Sequence, residues 1–96
     1  MSLVREQPLI LVVDDDAGQR LLAGASLLQG GFSVVEAGDG EQALRVFQHE
    51  QPDAVLLDVV MPGLDGFAVC EALRRLPGGR YLPIVMVTGL DDVKSI

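Results

Sequence analysis

Three short apolar runs in this chain each stop at a residue able to do chemistry. Leu9-Ile10-Leu11-Val12-Val13 stops at Asp14-Asp15-Asp16, Ala54-Val55-Leu56-Leu57 at Asp58, and Ile84-Val85-Met86-Val87 at Thr88-Gly89. A carboxylate where an apolar run ends is held at the rim of a core, between oil and water. Three such carboxylates within a few ångströms repel, so at neutral pH one keeps a proton or a cation intervenes. Hard oxygen ligands with solvent access favour Mg²⁺, which keeps several waters and accepts one or two carboxylates plus a phosphate; Mn²⁺ is the alternative. A carboxylate is also a nucleophile toward phosphorus and gives an aspartyl phosphate. A cation there would offset charge on the phosphoryl group and on Asp58. Thr88 could donate its hydroxyl to the phosphoryl oxygens, and Gly89 beside it would leave the group room to enter.

These residues need elements that bring them together. Continuous apolar runs of about five residues, separated by helical patterns, read as strands of a parallel sheet covered on both faces. The pattern predicts strands at about Leu9–Val13, Ser33–Ala37, Ala54–Leu57 and Ile84–Val87. It predicts a first helix from about Ala17 to Gln29, with Leu21, Leu22, Ala25 and Leu28 on one face and Gly30-Gly31 as its stop. A second helix runs from Asp39 to about His49, opened by a capping pair of Asp39 with Gln42 and turning Ala43, Leu44 and Phe47 inward. A third runs from about Gly66 to Leu76, with Val69, Cys70, Leu73 and Leu76 at core spacing. The alternation β-α-β-α-β-α-β is an α/β pattern. We expect a flavodoxin-like, doubly wound parallel sheet of order 2-1-3-4, because that order sets strands 1 and 3 side by side and ligands bind outside the carboxyl ends of such strands.

Composition bounds the function. Ninety-six residues, 49% of them hydrophobic, make one packed domain, with a core from about residue 8 to 96. The net charge of −7 disfavours nonspecific nucleic-acid binding by this segment, and none is expected, since phosphate neutralisation needs clustered Lys and Arg. The lone Cys70 suits a reducing cytoplasm. No apolar stretch approaches the roughly 18 residues of a membrane span.

On these residues the chain resembles the receiver domain of bacterial two-component response regulators. The resemblance is carried by Val12-Val13-Asp14-Asp15-Asp16, Leu56-Leu57-Asp58, Met61-Pro62-Gly63-Leu64-Asp65-Gly66-Phe67 and Val87-Thr88-Gly89. The gaps also match: Asp58 lies 44 residues past Asp14, and Thr88 lies 30 past Asp58. The resemblance implies a cytoplasmic switch rather than a turnover enzyme. Asp58 would accept a phosphoryl group from a sensor histidine kinase or a phosphotransfer protein. Asp14 and Asp15 would bind Mg²⁺ together with Asp58 and the backbone carbonyl of Val60. Thr88, with Gly89, would meet the phosphoryl group as the switch, and the state would pass to an output domain in the same or another chain. The ending from Thr88 to Ile96 resembles receivers fused to cyclic-di-GMP domains or to kinases. One departure is large: the family carries a lysine followed by proline at the end of a fifth strand, about twenty residues past the threonine, and Lys94 comes only six residues past Thr88. The expectation is therefore a receiver cut before its fifth strand. Its strand 4 would be an apolar edge open to a homodimer.

Other readings stand beside this one. Asp14-x-Asp16, Thr88 and Asp91-Asp92 also resemble haloacid-dehalogenase-type phosphatases, with Asp14 as nucleophile. That reading leaves the segment from Asp58 to Gly63 unexplained. A noncatalytic receiver-like interaction module is the third. Asp16 and Asp65 read as helix N-caps, Gly66 as a backbone requirement, His49 as a solvent residue and Cys70 as a small core residue.

Overall fold

The computed structural model describes residues 7–61, 63 and 65–87. Four parallel strands alternate with three helices: β1 (Leu9–Val13), α1 (Ala17–Gln29), β2 (Ser33–Ala37), α2 (Gly40–Glu50), β3 (Ala54–Asp58), α3 (Gly66–Arg75) and β4 (Ile84–Val87). The sheet order is β2-β1-β3-β4, as the chemistry of the strand ends required. Val13 stands opposite Ala37 on one side and Leu57 on the other, and Asp58 is opposite Val87. β3 thus extends one residue further than its apolar run, because the ladder is made by the backbone and does not depend on the side chain of Asp58.

The side chains of each strand alternate between the two faces of the sheet. Leu11, Val13, Val55, Leu57 and Met86 point to the face covered by α2 and α3, where they pack with Ala43, Phe47, Val69 and Leu73. Every residue of β1 is buried, as expected of a central strand with both faces covered. The inward positions expected for α2 and α3 are observed. Ala43, Phe47, Val69 and Leu73 are buried, and Leu44, Cys70 and Leu76 are partly buried against the same core.

Helix α1 differs from expectation. Leu21, Leu22 and Leu28 are 67%, 66% and 61% exposed, and Gly24 is the buried residue of the helix. The apolar spacing is helical, but the stripe that meets the sheet is the neighbouring one, with Arg20, Ala23 and Leu27 partly buried around Gly24. A Cβ on Gly24 would lie 3.7 Å from Val34 Cγ1 of β2, an ordinary contact, so this is the position at which the helix meets the strand.

The helix ends are set by side chains. Asp16 accepts from the N–H groups of Gly18 and Gln19 at 2.8 and 3.1 Å, Asp39 from Gln42 at 2.8 Å, and Asp65 from Ala68 at 2.9 Å. Gln42 completes its half of the pair one residue further out than a capping box, accepting from the N–H of Gly38 at 2.5 Å. After α1 the chain turns through Gly31 at φ 92°, a conformation glycine adopts without strain.

Candidate acidic phosphoacceptor site

Asp14 follows β1 and Asp58 ends β3, so adjacent parallel strands deliver both carboxylates to the same sheet edge. Asp15 comes with them. One carboxylate oxygen from each of Asp14, Asp15 and Asp58 lies within 4.8 Å of the others. Asp14 and Asp58 are partly buried, and Asp15 is exposed.

Each acidic residue is held by backbone. Asp14 donates its N–H to Ala37 O of β2 at 3.2 Å, and its Oδ1 accepts from the N–H of Asp16 at 2.9 Å. Asp58 Oδ1 accepts from the N–H of Val60 at 3.1 Å. The chain beyond Asp58 is pinned twice, by Val59 N–H to Val87 O at 2.8 Å and by Gly66 N–H to Val59 O at 3.0 Å. That second bond brings the start of α3 against the loop that follows Asp58. A Cβ on Gly66 would lie 2.5 Å from Asp58 O and 2.6 Å from Val59 Cα, so only glycine fits there. A cleft of about 250 Å³ opens beside the acidic group, lined by Asp14 and Asp58 together with the apolar Val12, Leu22, Leu56 and Val87.

Burial raises the Asp14 carboxyl above its ordinary value of 3.8. The hydrogen bond from the Asp16 N–H opposes this, and the neighbouring Asp58 and Asp15 reinforce it. The folded chain therefore binds a proton on Asp14 more tightly than the unfolded chain does. The cost is absent below pH 3.8 and grows as pH rises through the higher folded-state value, so charged Asp14 destabilises the cation-free fold at neutral pH. Asp14→Asn keeps the shape and the acceptor oxygen. With a chelator present, its thermal midpoint should exceed wild type at pH 7, and the advantage should shrink as pH approaches 3.8. An equal advantage at both pH values would mean that the shift is not what the substitution relieves.

Asp14, Asp15 and Asp58 are thus assembled as expected, and Asp16 and Asp65 are caps. Val60 is in place beside Asp58, 70% exposed. Thr88 and Gly89 lie outside the described residues, as do Asp91, Asp92 and Lys94. Spacing did not single out Arg20. It donates from Nη1 to the carbonyl of Asp14 at 2.6 Å and from Nε to Glu36 Oε1 at 2.9 Å. The available signal was Glu36 itself, a charge inside the apolar run of β2.

Residues 10–96 match the family model described as response regulator receiver domain. The chain is 49% identical over 84 residues to a probable transcriptional regulator, ycf27, of Cyanophora paradoxa, covering 88% of this chain and 34% of that protein. It is 48% identical over 83 residues to the response regulator PleD of Caulobacter vibrioides, covering 85% of this chain and 18% of that one. Among solved structures, the chemotaxis protein CheY4 of Vibrio cholerae superposes with a TM-score of 0.82 at 30% identity, over 88% of this chain and 72% of that one. The chain belongs to the response regulator receiver family, whose members are phosphoacceptor signalling switches. It spans about a third or less of the length of these curated relatives.

Proposed function

We propose that Asp58 is the phosphoacceptor of a signalling switch charged by the phosphohistidine of a sensor kinase or phosphotransfer protein. The observation that carries this reading is the meeting of Asp14, Asp15 and Asp58 within 4.8 Å at one sheet edge. An Asp58 carboxylate oxygen attacks phosphorus, the P–N bond breaks, and the imidazole leaves and takes up a proton. Val60 N–H fixes one Asp58 oxygen and leaves the other to attack.

The residues fit Mg²⁺, since three mutually repelling hard oxygen ligands with solvent access suit a divalent cation. Asp14, Asp15, Asp58 and the Val60 carbonyl would hold it, and it would supply positive charge opposite the phosphoryl oxygens. In this reading Thr88 contacts the phosphoryl group, with Gly89 leaving it room. The chain assists its own phosphorylation and dephosphorylation and turns over no external substrate. It works in the cytoplasm and passes its state to an output domain. No helix among the described residues is long and apolar enough to cross a membrane.

The test is labelling by acetyl phosphate with Mg²⁺, followed by intact-protein mass spectrometry. One phosphoryl group should be gained, only with the cation present. Asp15→Ala should raise the Mg²⁺ concentration needed for half-maximal labelling at least about tenfold, as expected for loss of a ligand. Asp16→Ala should shift it little, since Asp16 spends its carboxylate on the cap of α1. Equal effects of the two substitutions would show that the ligand register is wrong, and labelling independent of Mg²⁺ would overturn the reading.

A further inference from the structure

Arg20 joins three elements at the back of the acidic site. It stands in the first turn of α1, and its side chain is only 21% exposed. Nε donates to Glu36 Oε1 of β2 at 2.9 Å, and Nη1 donates to the backbone carbonyl of Asp14 at 2.6 Å. Gly38 of the following loop lies against it, where a Cβ would stand in ordinary contact, 3.4 Å from Nη1. The other side of the Asp14 peptide is bonded to Ala37 O of the same strand. Both main-chain polar groups of Asp14 are therefore referred to β2, one directly and one through the Arg20–Glu36 pair. With its backbone fixed at both ends, the Asp14 carboxylate is left one orientation problem, which the Asp16 N–H resolves.

We propose that Arg20 is a positioning residue of the acidic site, holding the Asp14 carboxylate where it meets Asp15 and Asp58 around a divalent cation. The proposal rests on the cation-binding reading above. Glu36 gives Arg20 a second role. An unpaired guanidinium this close would weaken attraction for a cation, and its carboxylate partner offsets that charge. The planar fork matters, because two N–H donors aimed in fixed directions serve a carboxylate and a carbonyl at once, which a lysine ammonium on a flexible stem does not.

The test measures Mg²⁺ binding directly, by calorimetry on the full chain, so that it does not depend on phosphotransfer. The double substitution Arg20→Met with Glu36→Gln removes both charges without changing the net charge, which leaves geometry as the difference. Its Mg²⁺ affinity should fall about tenfold, the scale expected when a group orienting a metal ligand is lost. Arg20→Lys should recover less than half of the lost affinity. Leu27→Ala is the control: it loosens α1 at a partly buried position two turns from Arg20, and it should lower the thermal midpoint while costing far less Mg²⁺ affinity than the double variant does. Wild-type affinity in the double variant would overturn the proposal, as would a Leu27→Ala affinity loss equal to that of the double variant. If wild type binds Mg²⁺ but takes no phosphoryl group, the phosphoacceptor reading fails, while the affinities still decide the role of Arg20.

Discussion

Asp58→Asn should take up no phosphoryl group from acetyl phosphate under conditions in which the wild-type chain is expected to be labelled. A carboxamide oxygen carries no charge to donate to phosphorus, so the acyl phosphate cannot form at this position. The substitution is nearly isosteric, and asparagine Oδ1 can still accept from the N–H of Val60, so the loop geometry survives. It also removes one of the charges that hold the Asp14 carboxyl up, and the cation-free fold should be no less stable than wild type. Far-UV circular dichroism and a thermal scan, run beside mass spectrometry, separate lost chemistry from lost structure. Equal labelling of Asp58→Asn would place the acceptor elsewhere, and phosphate mapped to Asp14 would revive the phosphatase-like reading. A wild-type chain that takes no phosphate at all would identify a noncatalytic interaction module.

Gly66→Ala should be the most damaging single-methyl change near the site. The added carbon would meet Asp58 O at 2.5 Å and Val59 Cα at 2.6 Å, and both are backbone atoms that cannot rotate away. Relief requires α3 to retreat from the acceptor loop, which breaks or lengthens the 3.0 Å bond from Gly66 N–H to Val59 O. Overpacking of this kind costs about 1–3 kcal/mol, and each kcal/mol lowers the melting midpoint of a domain this size by about 4–8 °C. The displaced loop is the one that carries Asp58, so labelling should slow at every Mg²⁺ concentration. Chevron analysis with a labelling time course would check both effects. A variant that melts and labels like wild type would show that α3 and the acceptor loop are not in the contact described.

Much of this architecture was legible in the residues. β1 and β4 begin and end where their apolar runs do, and β1, central and buried throughout, is apolar on both faces as such a strand must be. The order 2-1-3-4 followed from requiring Asp14 beside Asp58. The caps at Asp16, Asp39 and Asp65 were legible because a short side chain before a helical period has a local partner. What resisted reading was non-local. Periodicity shows that Leu21, Leu22 and Leu28 share a flank of α1, but not which flank meets the sheet, and Gly24 carries no apolar signal to compete with three leucines. Arg20 resisted for a similar reason, since its partner at the site is a carbonyl and every residue has one.

The lodging of α1 on a glycine has a kinetic and thermodynamic consequence. Among the described residues, α1 buries little of its own side-chain surface, whereas α2 and α3 enclose Phe47, Val69 and Leu73. An element with so little buried apolar area is the one expected to detach and reattach by itself, well before the rest unfolds. When α1 lifts away, Arg20 goes with it and the Asp14 carbonyl loses its donor. Opening of α1 and occupancy of the acidic group then draw on one free energy, so a cation bound there holds the helix shut by mass action, and a helix held shut tightens the cation.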